Sequence, residues 1–192
     1  AAPELIYIVR DSAPGALIYT SDFAEKIIAI KAADLPLVSY FRHGGQNLPD
    51  DPTLSDLTAP LPEDEPMPAA EVTLNDPLFI MYTSGTTGDP KGAMLSHANI
   101  ASNVESSLKV VDLNERDRCL SFLPLCHIFE RMAGLYCMLQ AGATIAYAQS
   151  LETVAADAME VHPTILTGVP RFYEKVYARV MENALASPPI RK

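Results

Sequence analysis

Two hydrophobic periods alternate along the chain. Leu5, Ile8 and Val9 fall at i, i+3 and i+4, which predicts a helix ending near Ser12. Pro14-Gly15 breaks it, and Ala16-Leu17-Ile18-Tyr19-Thr20 reads as a buried strand. Ser21 stands where it can cap a second helix, whose apolar face is Phe23, Ile27 and Ile30. Residues 37–41 read as another strand. Further on, the apolar run Leu78-Phe79-Ile80-Met81-Tyr82 predicts a buried strand, and a second one follows around Ala93-Met94-Leu95. Ser96 is a candidate N-cap for a helix carrying Ile100, Val104, Leu108 and Val111 at spacings of four, four and three.

The second half continues the alternation. Residues 117–123 predict a strand ended by Pro124, and 128–139 are apolar on nearly every face, as in a buried helix stopped at Ala141-Gly142. Residues 143–148 read as a strand, and Leu151, Val154, Ala155 and Ala158 as one helix face. Residues 163–167 read as a strand, and Val169-Pro170 opens a helix with Phe172, Val176, Val180 and Met181. Short apolar strands alternating with amphipathic helices imply an α/β fold, a largely parallel sheet flanked by helices. No internal repeat is visible. The first residues look like the second half of a β/α repeat, so the chain reads as a piece of a larger domain.

Charge changes this picture at one place. The 192 residues carry a formal net charge of −10, and residues 43–90 hold nine acids and no Lys or Arg. Six prolines fall between Pro49 and Pro68. Residues 43–70 are therefore expected to be an acidic, Pro-rich, solvated connection of little order. The overall acidity argues against a nucleic-acid partner. No apolar run reaches bilayer length, and Ala1-Ala2-Pro3-Glu4 has no basic n-region, so no signal peptide is read. Cys119, Cys126 and Cys137 are odd in number and form no C-x-x-C, which reads as buried free thiols in a reducing compartment.

Tyr82-Thr83-Ser84-Gly85-Thr86-Thr87-Gly88-Asp89-Pro90-Lys91-Gly92 carries the candidate chemistry. Four hydroxyls, three glycines and one lysine make a donor cluster suited to a polyphosphate, because glycine lets successive N–H groups converge on one point. A plain surface loop is the bland alternative. The run is not a Walker A loop, since Pro90 precedes the lysine and no helix signal follows at once. Strand–loop–strand is expected, with Lys91 at the loop's exit. A second constellation is Leu123-Pro124-Leu125-Cys126-His127-Ile128-Phe129-Glu130-Arg131. His127 sits at a strand-to-helix turn, where α/β sheets often bind ligands, but spacing alone leaves a structural role open. Cys126 and His127 are adjacent and lack an orienting acid, which disfavours a nucleophile–base pair. A zinc site there would need two more ligands. Glu130 and Arg131 read as exposed ion pairs of little consequence.

With both stretches quoted, the chain resembles the adenylate-forming (AMP-binding) superfamily, in its long-chain fatty acyl-CoA synthetase branch. Residues 82–92 match that superfamily's phosphate-loop signature. Residues 123–131 and Pro163-Thr-Ile-Leu-Thr-Gly-Val-Pro-Arg-Phe-Tyr-Glu-Lys-Val-Tyr177 are similar to the branch. The resemblance implies a partial N-terminal domain over residues 1–192, and a two-step reaction using ATP, Mg and coenzyme A. A fatty acid carboxylate attacks the α-phosphorus, and the thiol of coenzyme A then displaces AMP. It implies that Thr83, Ser84, Gly85, Thr86, Thr87, Gly88 and Lys91 hold the ATP phosphates, with Thr83 also contacting Mg. It further implies that His127, Gly168, Val169 and Pro170 border the acyl and adenylate pocket. The family's adenine-binding motif, its ribose-binding aspartate and its C-terminal domain with the catalytic lysine have no match here. The expectation is a fragment inactive on its own, from a cytoplasmic parent whose membrane association is left open. Activation of an aryl, short-chain or amino acid, or a stand-alone nucleotide-binding module, are the alternatives.

Overall fold

The computed structural model describes residues 2–36, 39–44, 51–59, 62, 66, 69–83 and 88–186. The chain divides into two compact units, Ala1–His97 and Ala98–Lys192.

In the first unit, helix α1 (Ala2–Ser12) ends where the sequence predicts, and β1 (Ala16–Thr20) follows. A 3₁₀ turn (Ser21–Phe23) then intervenes before α2 (Ala24–Ala32). Ser21 is thus the first residue of that turn and not the cap of α2. Phe23 is half exposed beneath the Lys26 ammonium, 4.5 Å from its ring centroid, and so leaves the core face. Ile27 and Ile30 do face inward, packing with Val9 and Tyr19 against Leu5, Ile6, Leu17, Leu35 and Tyr40. Strand β2 (Ser39–His43) pairs parallel with β1 in full register, Ala16 to Ser39 through Thr20 to His43.

The acidic connection departs from its expectation over 51–59. Thr53 bridges parallel to Arg42, extending the sheet past β2. Thr53 and Asp56 form a reciprocal capping box that starts the short helix α3 (Leu54–Thr58). Asp51 is no solvated acid. Its carboxylate accepts from the Tyr19 hydroxyl at 2.6 Å and from the Lys31 ammonium at 2.5 Å, while its carbonyl accepts from Arg42 Nε at 2.9 Å. Residues 45–50 and most of 60–68 lie outside the described residues.

Burial pushes the Asp51 carboxyl up. The bonds from Lys31 and Tyr19, with the charges of Lys31 and Arg42, outweigh it and hold the group below the ordinary carboxylate range. Burial, then the bond to Asp51, pushes the Tyr19 phenol up to about 12. A depressed acid stabilises the fold above its unfolded pKa and loses that contribution as pH falls through the folded value. Asp51→Ala is therefore expected to cost about 1–3 kcal/mol at neutral pH. Its urea midpoint should also fall less than the wild type's between pH 5 and pH 2. Equal acid sensitivity in the two proteins would contradict this linkage.

Strands β3 (Pro77–Thr83) and β4 (Lys91–Ser96) form an antiparallel hairpin, with Thr83 opposite Lys91 and Tyr82 opposite Gly92. The expectation of a buried strand at residues 78–82 fails at Ile80, which is exposed, as is Met94 on β4. Ser96 directly precedes α4 (His97–Leu108), whose first N–H donates to the Asp76 carbonyl.

The second unit holds the rest of α4, where Ile100 and Val104 are buried. Val111 falls beyond the helix end, so the apolar stripe is one residue shorter than its spacing suggests. Strand β5 (Arg118–Ser121) pairs parallel with β6 (Thr144–Tyr147), and Ile165 bridges parallel to Cys119 on the other side. Of the strand expected at 163–167, only Ile165 pairs. Pro163 has no N–H to give, and the Thr164 hydroxyl is engaged with Asp117 at 2.8 Å and with the Arg118 N–H.

The helix expected at 128–139 is three pieces: α5 (Ile128–Glu130), a π-helical stretch (Arg131–Tyr136) and α6 (Cys137–Ala141). It stops at Gly142, φ 70°, as expected. Its burial is one-sided, with Met132, Gly134, Cys137 and Met138 inside and Ile128, Phe129 and Leu139 exposed. Helix α7 (Val154–Val161) buries Val154 and Asp157, not Ala155, and Leu151 lies outside it, exposed. Helix α8 (Pro170–Ala186) forms where predicted, but Val176, Val180 and Met181 are exposed among the described residues.

Candidate functional site

The candidate phosphate loop joins β3 to β4. Ser84, Gly85, Thr86 and Thr87 lie outside the described residues, but both rims of the loop are described. Thr83 ends β3 and Lys91 begins β4, paired across the ladder and both exposed. Facing residues of an antiparallel pair have Cβ atoms about 5 Å apart, so a threonine and a lysine side chain leave the ladder as neighbours at the loop's mouth. Gly88 has φ 135°, a backbone state that side chains with a Cβ resist.

The β3 rim is tied down from an unexpected quarter. Tyr82, next to Thr83, donates its hydroxyl to Asp11 at the end of α1, at 2.6 Å. The bond to that carboxylate, and then desolvation, push the Tyr82 phenol up. The two residues are 71 positions apart, so no local pattern marks the pair.

In the second unit, His127 precedes α5 and is exposed. Its N–H donates to the Pro124 carbonyl at 3.0 Å, and its own carbonyl accepts from the Arg131 N–H at 3.1 Å. Arg131 Nε also donates to the Leu125 carbonyl at 2.8 Å. The loop carrying Cys126 and His127 is therefore pinned from the helix that follows it. Gly168 and Val169 follow the Ile165 bridge, and Pro170 opens α8. The loops holding His127 and Gly168 thus leave the same, C-terminal edge of the parallel strands, where open α/β sheets bind ligands.

Glu130 and Arg131 overturn their expectation as surface ion pairs. Arg131 braces the loop as described. Glu130 is 0% exposed, and its two carboxylate oxygens accept from Ser121 Oγ at 2.5 Å and from Thr167 Oγ1 at 2.9 Å. Beside it lies an apolar cavity of about 310 Å³, bordered by Val111, Phe129, Met132, Met138, Ile165 and Thr167, among others.

The thiols divide two to one. Cys119 and Cys137 are buried and Cys126 is exposed, against the expectation that all three are buried. Burial, then the charge of Glu130, pushes the Cys119 thiol up to about 11, and burial raises Cys137 as well. Thiolate is the reactive form. At pH 8 a thiol reagent should label Cys126 in the native chain, and all three cysteines in denaturant. Fast native labelling of Cys119 would contradict its burial.

The profile of the family described as AMP-binding enzyme matches residues 1–190. The chain belongs to that family. A long chain acyl-CoA synthetase 2 of Arabidopsis thaliana is 39% identical over 119 residues, 59% of this chain and 18% of the relative. Among solved structures, the inhibitor-bound N-terminal domain of FACL13 from Mycobacterium tuberculosis superposes with a TM-score of 0.77 at 32% identity, covering 90% of this chain and 42% of that one. The anthranilate CoA ligase AuaEII in complex with anthranoyl-AMP superposes at 0.81 with 25% identity, over 90% of this chain and 34% of that one. The chain thus spans about a fifth of the plant relative and less than half of each structure. It shares with them the α/β architecture of an acyl-CoA ligase N-terminal domain.

Proposed function

We propose that this chain is the phosphate-loop part of an ATP-dependent ligase that activates long-chain fatty acids. The observation that carries the reading is the hairpin of an AMP-binding family member presenting Thr83 and Lys91 on facing rims of a Ser/Thr/Gly loop. In the first step a carboxylate oxygen of the acid bonds to the α-phosphorus of ATP, and the bond to the β-phosphate bridging oxygen breaks, releasing pyrophosphate. Charge grows on that leaving group. This reading assigns the hold on it to the hydroxyls of Thr83, Ser84, Thr86 and Thr87, the N–H groups around Gly85 and Gly88, and the Lys91 ammonium. In the second step the sulfur of coenzyme A bonds to the acyl carbon and AMP leaves.

Magnesium, when bound, would offset phosphate charge. The Thr83 hydroxyl is the hard oxygen it prefers, and the ion ordinarily keeps few protein ligands beside substrate phosphates. His127, Gly168, Val169 and Pro170 border the acyl and adenylate pocket in this reading. The apolar cavity bordered by Phe129 of α5 supports an acid with a hydrocarbon tail. No helix among the described residues is long and apolar enough to cross a membrane; the reading places the enzyme in the cytoplasm, with peripheral membrane contact compatible with it.

The likeness to an anthranilate CoA ligase favours one second reading, an aryl acid substrate. Thioester formation by the full-length protein with acids from benzoate to stearate separates the two. The long-chain reading expects turnover highest with the long-chain acids. Turnover confined to aryl acids would replace it with the second reading.

A further inference from the structure

We propose that Glu130 is a positioning residue that sets the wall of the acyl pocket by clamping the ends of two strands. The inference rests on the acyl-ligase reading above. Ser121 is the last residue of β5, and Thr167 lies two residues past the Ile165 bridge on the neighbouring strand line. One carboxyl, with one oxygen to each hydroxyl, joins the C-terminal ends of both. The residues just beyond Thr167 are Gly168, Val169 and Pro170, and Thr167 itself borders the apolar cavity.

Three features show that the seat is built for this acid. Glu130 is wholly buried, where an unpaired carboxyl is strongly disfavoured and an apolar side chain would pack without that penalty. The helix widens into its π-helical stretch immediately after Glu130, a local distortion that costs backbone energy and recurs at functional sites. Gly134, in that stretch, leaves room for the carboxyl. A Cβ there would overlap Glu130 Oε1 and stand 2.7 Å from Cδ. Both oxygens face hydroxyls inside the fold, so Glu130 cannot reach a substrate and does not act as an acid or base. Its effect passes through Thr167. Arg131, one residue on, holds the Leu125 carbonyl, so consecutive side chains brace the two loops that leave this edge.

The test uses the full-length protein and the variants Glu130→Ala, Glu130→Gln and Thr167→Val. The Gln amide can accept from one hydroxyl and donate to the other, so it preserves the clamp. Glu130→Ala should raise KM for a long-chain acid about tenfold while KM for ATP stays within about twofold. Glu130→Gln should stay within about threefold on both. Thr167→Val should raise the acid KM alone, and the Glu130→Ala/Thr167→Val pair should add nothing to Glu130→Ala, because both changes break one clamp. Equal rises in both KM values, an unchanged acid KM, or Gln behaving like Ala would overturn the proposal. If Glu130→Ala does not fold, Thr167→Val decides by the same split. Hydrogen exchange at residues 166–169, which needs no turnover, should quicken in Thr167→Val. Unchanged exchange defeats the clamp even if the wild type activates fatty acids, whereas quickened exchange in a protein that activates none defeats only the ligase reading.

Discussion

Lys91→Ala in the full-length protein is expected to lower fatty-acid-dependent AMP formation by about 100-fold or more, in the range seen when one preorganised charge stabiliser is removed. The reason lies in the surrounding charge. Residues 43–90 supply nine carboxylates and no Lys or Arg, so the stretch leading into the loop brings no basic side chain to it. Lys91 is the first cation after Arg42, and it stands exposed opposite Thr83 at the loop's mouth. Removing it takes away the one side-chain cation of residues 82–92, leaving hydroxyl and amide dipoles and the magnesium of the proposed reaction to meet the growing charge of pyrophosphate. Because Lys91 is exposed, its loss should leave the circular dichroism and the unfolding midpoint nearly unchanged. Lys91→Arg should recover only part of the rate, since a planar fork replaces a compact point charge. Undiminished AMP formation in Lys91→Ala would remove Lys91 from the mechanism.

Gly134→Ala is the second substitution with a large expected effect, this time on stability. Alanine normally improves a helix over glycine by up to about 1 kcal/mol. Here its methyl must share space with the Glu130 carboxyl, already engaged with Ser121 and Thr167. The carboxyl cannot swing out, because it is enclosed on all sides. Either the π-helical stretch shifts, or two buried hydrogen bonds are lost at about 1–3 kcal/mol each. The net expectation is a loss of about 2–3 kcal/mol, read as a lower urea midpoint with an unchanged slope. A midpoint at or above the wild type's would mean that the seat around Gly134 is roomier than its distances to the Glu130 carboxyl indicate.

These two residues also show which parts of the molecule could be read from its sequence. The place of Lys91 at the exit of a strand–loop–strand could, because hydroxyls, glycines and a lysine between two apolar runs are a local pattern, and local patterns fix hairpins. The end of α1 at Ser12, the stop at Gly142 and the start of α8 at Pro170 were legible for the same reason. The role of Glu130 was not. Beside Arg131 it looks like half of a surface pair, and its partners lie 9 and 37 residues away. Asp51 was missed likewise, as one acid among nine, until Tyr19 and Lys31 met it from 32 and 20 residues away. Tyr82 reached Asp11 across 71. In each case a polar group is buried or held by a partner brought by the fold, and periodicity carries no trace of such a partner. Burial of apolar faces was overestimated for the opposite reason. The pattern marks which side of α8 or β3 is apolar, but not whether this stretch of chain supplies anything to cover it.

The most direct test of the central claim is ATP–pyrophosphate exchange by the full-length protein, with labelled pyrophosphate and a graded series of fatty acids. Exchange that depends on the acid, and is strongest with long-chain acids, is the predicted result. No exchange with any medium- or long-chain acid would contradict the claim.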